Sequence, residues 1–277
     1  MAITIADIKK LREMTAAGMM DCKKALEEAE GDFQKAVDII REKGKLVAAK
    51  RGDKETSEGA VRARIEGGKA ILVCVGTETD FVSATPGFKA LVDEIADAAI
   101  ASMPKDAEAL KEVKCANGYT VDQEIGAQAG RTGEKTLLAF YGWLDAPYVA
   151  QYVHFNFKTG AIVAFNKVVS DEVGRAIAQQ VTAMAPISVN ADDCPQDVID
   201  KEIEIYKQQM AEDPKMAGKP AAMLENIARG KLSKFYKERT LEGQSFIEDE
   251  KISVADYLKS VDKDLKVLGF KRFNLND

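Results

Sequence analysis

One histidine, His154, and four cysteines, Cys22, Cys74, Cys115 and Cys194, are the residues best suited to acid–base, nucleophilic or metal chemistry, and they stand far apart in the chain. Histidine is the commonest general base and a frequent metal ligand, so an enzyme built on this chain would depend on carboxylates or lysines. No two cysteines form a C-x-x-C pair, and their spacings suit neither a zinc site nor a disulfide framework. They read as reduced thiols, as expected of a cytoplasmic protein. The sequence contains no G-x-G-x-x-G, G-x-x-x-x-G-K-[ST], H-E-x-x-H or G-x-S-x-G pattern. The expectation is therefore no catalytic residue, no metal ligand and no cofactor. A net charge of −6 and a pI near 5.2 lack the basic footprint of a nucleic-acid binder, whose domain pI usually exceeds about 9. What remains is a protein that acts by binding another macromolecule.

Elements that could present such a surface are legible along the chain. Its 277 residues allow two domains, and 46% apolar with 30% charged residues is a globular balance. The first seven residues have neither the basic region nor the apolar run of a secretory signal. The longest apolar runs, such as 70–75, fall short of the ~20 residues that span a bilayer, so no membrane partner is expected.

Residues 4 to about 43 read as three short helices. Ile8, Leu11 and Met14 recur at helical spacing, then Met19, Cys22, Leu26 and Ala29, then Phe33, Ala36, Val37 and Ile40. Gly31-Asp32 stops the second run and caps the third. The unit resembles the ubiquitin-associated three-helix fold, with Gly18-Met19-Met20 in the first inter-helix loop. Residues 45–58 are mostly polar and read as a linker across which few core contacts pass.

Two similar α+β patterns follow. In the first, 61–65 alternates, Gly67-Gly68 turns, 70–75 is a buried strand, and Thr85-Pro86 opens a helix that stops before Pro104. In the second, 151–155 is a strand, 158–160 a turn, 161–165 a strand, and a helix runs from about Asp171 to Met184, before Pro186. The pair reads as a weak internal duplication. Ile71 to Pro104 spans 33 positions, whereas Ile162 to Pro186 spans 24. The first copy thus has an insert of about nine residues, within 76–85, that contains Phe81. A large aromatic in a polar insert absent from the sister copy is not needed by the shared core, and loops on rigid scaffolds concentrate function.

Beyond the second copy, Ile199, Ile203, Tyr206 and Met210 follow a coiled-coil seam spacing. After a turn at 212–219, Leu224, Ala228, Leu232 and Phe235 run back. A short helix over 254–261 and a strand over 267–273 complete the pattern.

The stretch from Leu11 to Leu26 (LREMTAAGMMDCKKAL) and the tetrad Thr79-Asp80-Phe81-Val82, in this order and followed by a helical hairpin, resemble the bacterial elongation factor Ts family over essentially the whole chain. The resemblance implies an α+β fold: a UBA-like three-helix domain (1–44), a linker (45–58), a core subdomain with the Thr-Asp-Phe-Val loop (59–145) and a second subdomain (146–277). The last carries an antiparallel coiled-coil hairpin at about 196–237.

It also implies a guanine-nucleotide exchange factor for elongation factor Tu, in its GDP-bound and nucleotide-free forms. Thr79, Asp80, Phe81 and Val82 would form the loop that dislodges Mg²⁺ from the partner's nucleotide site, with Met19 and Met20 facing the partner's GTPase domain. Read without the resemblance, Phe81 is equally a core aromatic under a long loop. Asp80 could serve only as a turn cap, and Met19 and Met20 could both be core, although helical phase allows one inward and one outward.

Two departures stand out. The family commonly has a His-Gly-Gly or His-Gly-Ala stretch in the second subdomain, where this chain has His154-Phe155-Asn156-Phe157. The partner contact assigned to that histidine is therefore not carried over, and His154 reads as a half-buried strand residue. Many members also extend into a further C-terminal helical segment, so that contact is expected to be missing or replaced. The competing class is a peptide or ubiquitin-like adaptor using the three-helix unit, which would have no use for the Thr79–Val82 insert.

Overall fold

The computed structural model describes residues 3–15, 17–213 and 219–277, and these mix helices with strands in an α+β arrangement. Two compact units emerge. The first gathers the described residues up to Trp143 with Val153–Gly160 and Phe273–Asp277; the second comprises Leu144–Tyr152 and the described residues of Ala161–Arg272.

In the first unit, α1 (Ile5–Thr15), α2 (Met19–Glu28) and α3 (Phe33–Lys50) come first. Their periodic residues Ile8, Leu11, Cys22, Leu26, Ala36, Val37 and Ile40 close a small core. Met14, placed in the same stripe by its spacing, is instead exposed. Gly31 takes a φ of +88°, which glycine adopts without steric cost. Asp32 then starts α3 by accepting from the backbone N–H groups of Gln34 and Lys35.

Strands β1 (Glu58–Glu66) and β2 (Lys69–Thr77) form the expected antiparallel hairpin, with Glu66 opposite Lys69. After β2 come α4 (Asp80–Ser83) and α5 (Pro86–Ser102), the latter capped by the Thr85 side chain with Pro86 in its first turn. Next are α6 (Ala107–Lys111), α7 (Val121–Thr132) and β3 (Thr136–Asp145), which completes a sheet of order β1-β2-β3. Ile71, Val73 and Val75 of β2 pack against Phe88, Leu91, Val92 and Ile95 of α5.

The expected linker needs correcting on two counts. Residues 45–50 belong to α3, because Leu46, Val47 and Ala49 continue a run with no proline or turn signal to stop it. Contacts with the core are also extensive, since α3 lies along α7. The approach depends on glycine: a Cβ on Gly44 would stand 1.6 Å from the Gly126 carbonyl oxygen, and one on Gly130 would stand 3.1 Å from the Ile40 carbonyl oxygen. Arg41, nearly buried, donates from Nη2 to Glu124 Oε1 at 3.2 Å, and its guanidinium lies 3.1 Å from the centre of the Tyr119 ring.

The second unit is built on a sheet of order β4-β5-β8, from β4 (Tyr148–Val153), β5 (Thr159–Phe165) and β8 (Val267–Asn274). The strand expected at 151–155 thus lies earlier, and the turn is 154–158. There the Phe157 N–H donates to the His154 carbonyl and the His154 N–H to that of Thr159. Helix α8 (Asp171–Met184) covers the sheet through Ile177 and Val181.

Helices α9 (Gln196–Glu212) and α10 (Ala221–Arg239) pack on each other; the turn expected between them falls largely on 214–218, outside the described residues. The short β6 (Ser245–Phe246), β7 (Asp249–Ser253) and α11 (Val254–Val261) follow. Helices α5 and α8 end alike: Met103 (φ 47°) and Ala185 (φ 45°) take the left-handed conformation, each directly before a proline.

Candidate functional site

The insert is not a loop but a single anchored turn of helix. Strand β2 ends at buried Thr77, and α4 begins three residues later with Thr79 at its N-cap. Glu134, in the connection between α7 and β3, fixes both threonines. Its Oε2 accepts from Thr77 Oγ1 and the Thr79 N–H, each at 3.1 Å, and its Oε1 accepts from Thr79 Oγ1 at 2.6 Å. The Thr79 hydroxyl is therefore committed to Glu134 and does not cap α4.

Glu78 holds the other side. Arg51 forks onto it from Nε and Nη2, both at 2.6 Å, and the Lys135 N–H adds a third donor at 2.6 Å. Donors to a carboxylate favour its charged form, and the Arg51 fork lowers the Glu78 pKa from 4.5 to about 2.

With Thr79 pinned and Val82 buried in the core under α5, the turn has one orientation. Asp80 and Phe81 point outward, and the Phe81 side chain is 83% exposed. This decides between the two readings of Phe81: it is not a core aromatic. Desolvating its ring would contribute about 1.5–3 kcal/mol to an encounter.

Met19 and Met20 are in the first turn of α2 rather than in a loop, after Gly18 at the N-cap. Both face outward, 42% and 64% exposed, because Cys22, Ala25 and Leu26 carry the inward face. Neither methionine is in the core. His154 sits just past β4, partly exposed, with its ring 4.4 Å from that of Phe155.

Two residues that hold the turn escape sequence reasoning. Glu78 and Glu134 resemble any surface acid, and Glu134 lies 55 positions from Thr79. Phe155, 81% exposed, tops the 154–158 turn beside Phe157, whose φ is +59°.

Two concavities lie elsewhere. A groove of about 580 Å³ between α9 and α10 is lined by Ile203, Met210, Leu224, Ala228 and Leu232. A second, of about 410 Å³, is lined by Arg41, Glu94, Tyr119, Glu124 and Arg131. All four cysteines are buried, and burial raises the Cys74 and Cys115 thiols to about 12, so neither is a thiolate at neutral pH. Among the described residues, no group of three or more His, Cys, Asp or Glu is placed to hold a metal ion, and no helix is long and apolar enough to cross a membrane.

Fold and site together define a class: an α+β protein that presents an exposed aromatic on a doubly anchored turn. Within that class the chain belongs to the elongation factor TS family, whose profile matches residues 78–277. It is similar to elongation factor Ts of Porphyromonas gingivalis strain ATCC 33277, 42% identical over 276 residues and covering 100% of this chain and 99% of that protein. The protein of the same name from Azobacteroides pseudotrichonymphae is 43% identical over 277 residues, with 100% and 99% covered. That from Cytophaga hutchinsonii is 42% identical over 279 residues, with 99% of each covered.

Proposed function

We propose that this chain is the guanine-nucleotide exchange factor for elongation factor Tu, acting in the cytoplasm with no covalent chemistry and no cofactor of its own. The observation that supports this best is Phe81, exposed on a turn that Glu134, Glu78 and Val82 hold rigid. Thr79, Asp80, Phe81 and Val82 form the contact that disturbs the partner's Mg²⁺ site, and Met19 and Met20 form a second contact on the GTPase domain. Mg²⁺ bridges the nucleotide phosphates and the loops of a GTPase, so an aromatic pressed against those loops moves the ion's ligands and loosens GDP. GTP then rebinds. Coupling is reciprocal, so the rebinding nucleotide expels the factor.

In this reading α1–α3 are a UBA-like domain and the two strand-and-helix patterns, one ending in α5 and one in α8, are copies of a duplicated α+β pattern. Helices α9 and α10 are an antiparallel coiled-coil hairpin. No direct contact with nucleic acid is involved. Release of labelled GDP from elongation factor Tu, with this protein in catalytic amounts, tests the proposal. Acceleration over spontaneous release is expected, and its absence removes the reading.

A further inference from the structure

The N-terminal helices meet the rest of the first unit along a seam that a tethered module would not need. At its centre α3 crosses α7 at glycines, close enough that a methyl group on Gly44 would collide with the Gly126 carbonyl oxygen at 1.6 Å. Around the crossing, Arg41 reaches Glu124, with both side chains about nine-tenths buried. The Arg41 guanidinium stacks on Tyr119, and Gln34 Nε2 donates to the Tyr119 hydroxyl at 3.1 Å. Arg131 Nη1 completes the set on the Thr15 carbonyl at 3.5 Å. Glycine inside a helix is less favourable than alanine, so position 44 gives up helix stability for close approach.

We propose that this seam is a positioning element. Gly44, Gly130 and the Arg41–Glu124 pair hold Met19, Met20 and Phe81 in one rigid arrangement, so that elongation factor Tu meets both surfaces in a single docking event. The inference rests on the exchange reading above. Its physical basis is preorganisation: on a rigid body the second contact forms without the ordering that a flexible tether must undergo at each encounter. Gly44 and Gly130 touch no partner and act only through the placement of α1–α3.

Gly44→Ala is the informative variant, because alanine strengthens α3 as a helix while forcing it off α7. Gly130→Ala, with its tight 3.1 Å and 3.2 Å approaches to Ile40 and Gly44, is the milder one and substitutes if the first fails to fold. Spin labels on Lys24→Cys and Lys89→Cys, both exposed positions in a chain whose own thiols are buried, report the distance across the seam in the full-length protein. A single narrow distribution is expected in the parent and a broad one in Gly44→Ala.

In GDP-release titrations with elongation factor Tu, Gly44→Ala should raise the half-saturating concentration about tenfold or more. The maximal rate should stay within about twofold, with Gly130→Ala intermediate. Phe81→Ala should lower the maximal rate instead. A broad distribution in the parent overturns the proposal, as does a broadened Gly44→Ala with an unchanged half-saturating concentration. If the parent releases no GDP, the exchange reading fails, while the distance distributions still decide whether the seam is rigid.

Discussion

Phe81 contributes little to the fold that displays it. With 83% of its surface exposed, truncation removes almost no buried area, and surface changes of this kind stay within about 0.5 kcal/mol. Phe81→Ala is therefore expected to leave the melting temperature unchanged while slowing stimulated GDP release. Loss of about 1.5–3 kcal/mol of ring burial corresponds to roughly a ten- to hundredfold fall in the exchange rate constant. A large drop in melting temperature with normal exchange would make Phe81 structural instead. The tetrad Thr79–Val82 was legible in the sequence because comparing the two halves isolated it as an insert. Its anchors were not, since a carboxylate that accepts from a residue 55 positions away leaves no periodicity to read.

At the scale of elements, α4 depends on those anchors. Glu134→Ala removes the acceptor of three hydrogen bonds and leaves the Thr77 and Thr79 donors unmatched, at a cost of about 1–3 kcal/mol. Exchange should fall in that variant although Phe81 itself is intact, and a normal exchange rate would show that the turn needs no second support.

Glu78 adds a pH dependence. Its folded pKa is depressed, from 4.5 to about 2, chiefly by the Arg51 fork. Its contribution to stability is therefore full above pH 4.5 and fades as the pH falls towards 2. Acid denaturation followed by circular dichroism should show this fade, and Glu78→Gln should flatten the stability curve across that window. The hairpin β1–β2 and the helices α5, α8 and α11 were legible because alternation, caps and prolines mark them. Helix α7 was hidden by its own role: Gly126 and Gly130 interrupt its apolar pattern, and its buried face includes Glu124 and Gln128.

For the whole molecule, the exchange reading makes Mg²⁺ its competitor at the partner's nucleotide site. Raising Mg²⁺ should weaken the complex with GDP-loaded elongation factor Tu. Chelation should speed GDP release without the factor and shrink the factor's relative effect. Equal fold acceleration in excess chelator and in millimolar Mg²⁺ would indicate a direct push on the phosphate-binding loop instead. The order of the two halves was readable from strand, turn, strand and helix. The docking of α3 on α7 was not, because it joins residues such as Arg41 and Glu124 that are 83 positions apart, and a polar stretch after Gly44 read as a tether.

The matched ends of α5 and α8 bear on heat tolerance. Met103 and Ala185 hold left-handed backbones without being glycine, which costs roughly 1–2 kcal/mol per residue. The stop itself is supplied by the proline that follows each, so the strain is a reserve that substitution can release. Ala185 is the cleaner place to release it, since Met103 also packs on the core under α5. Ala185→Gly should raise the melting temperature by about 2–4 °C in differential scanning calorimetry, and an unchanged or lower value would mean that the cap is relaxed as it stands. Because position 185 is none of the residues assigned to exchange, such a variant would be a sturdier exchange factor with an unaltered working surface.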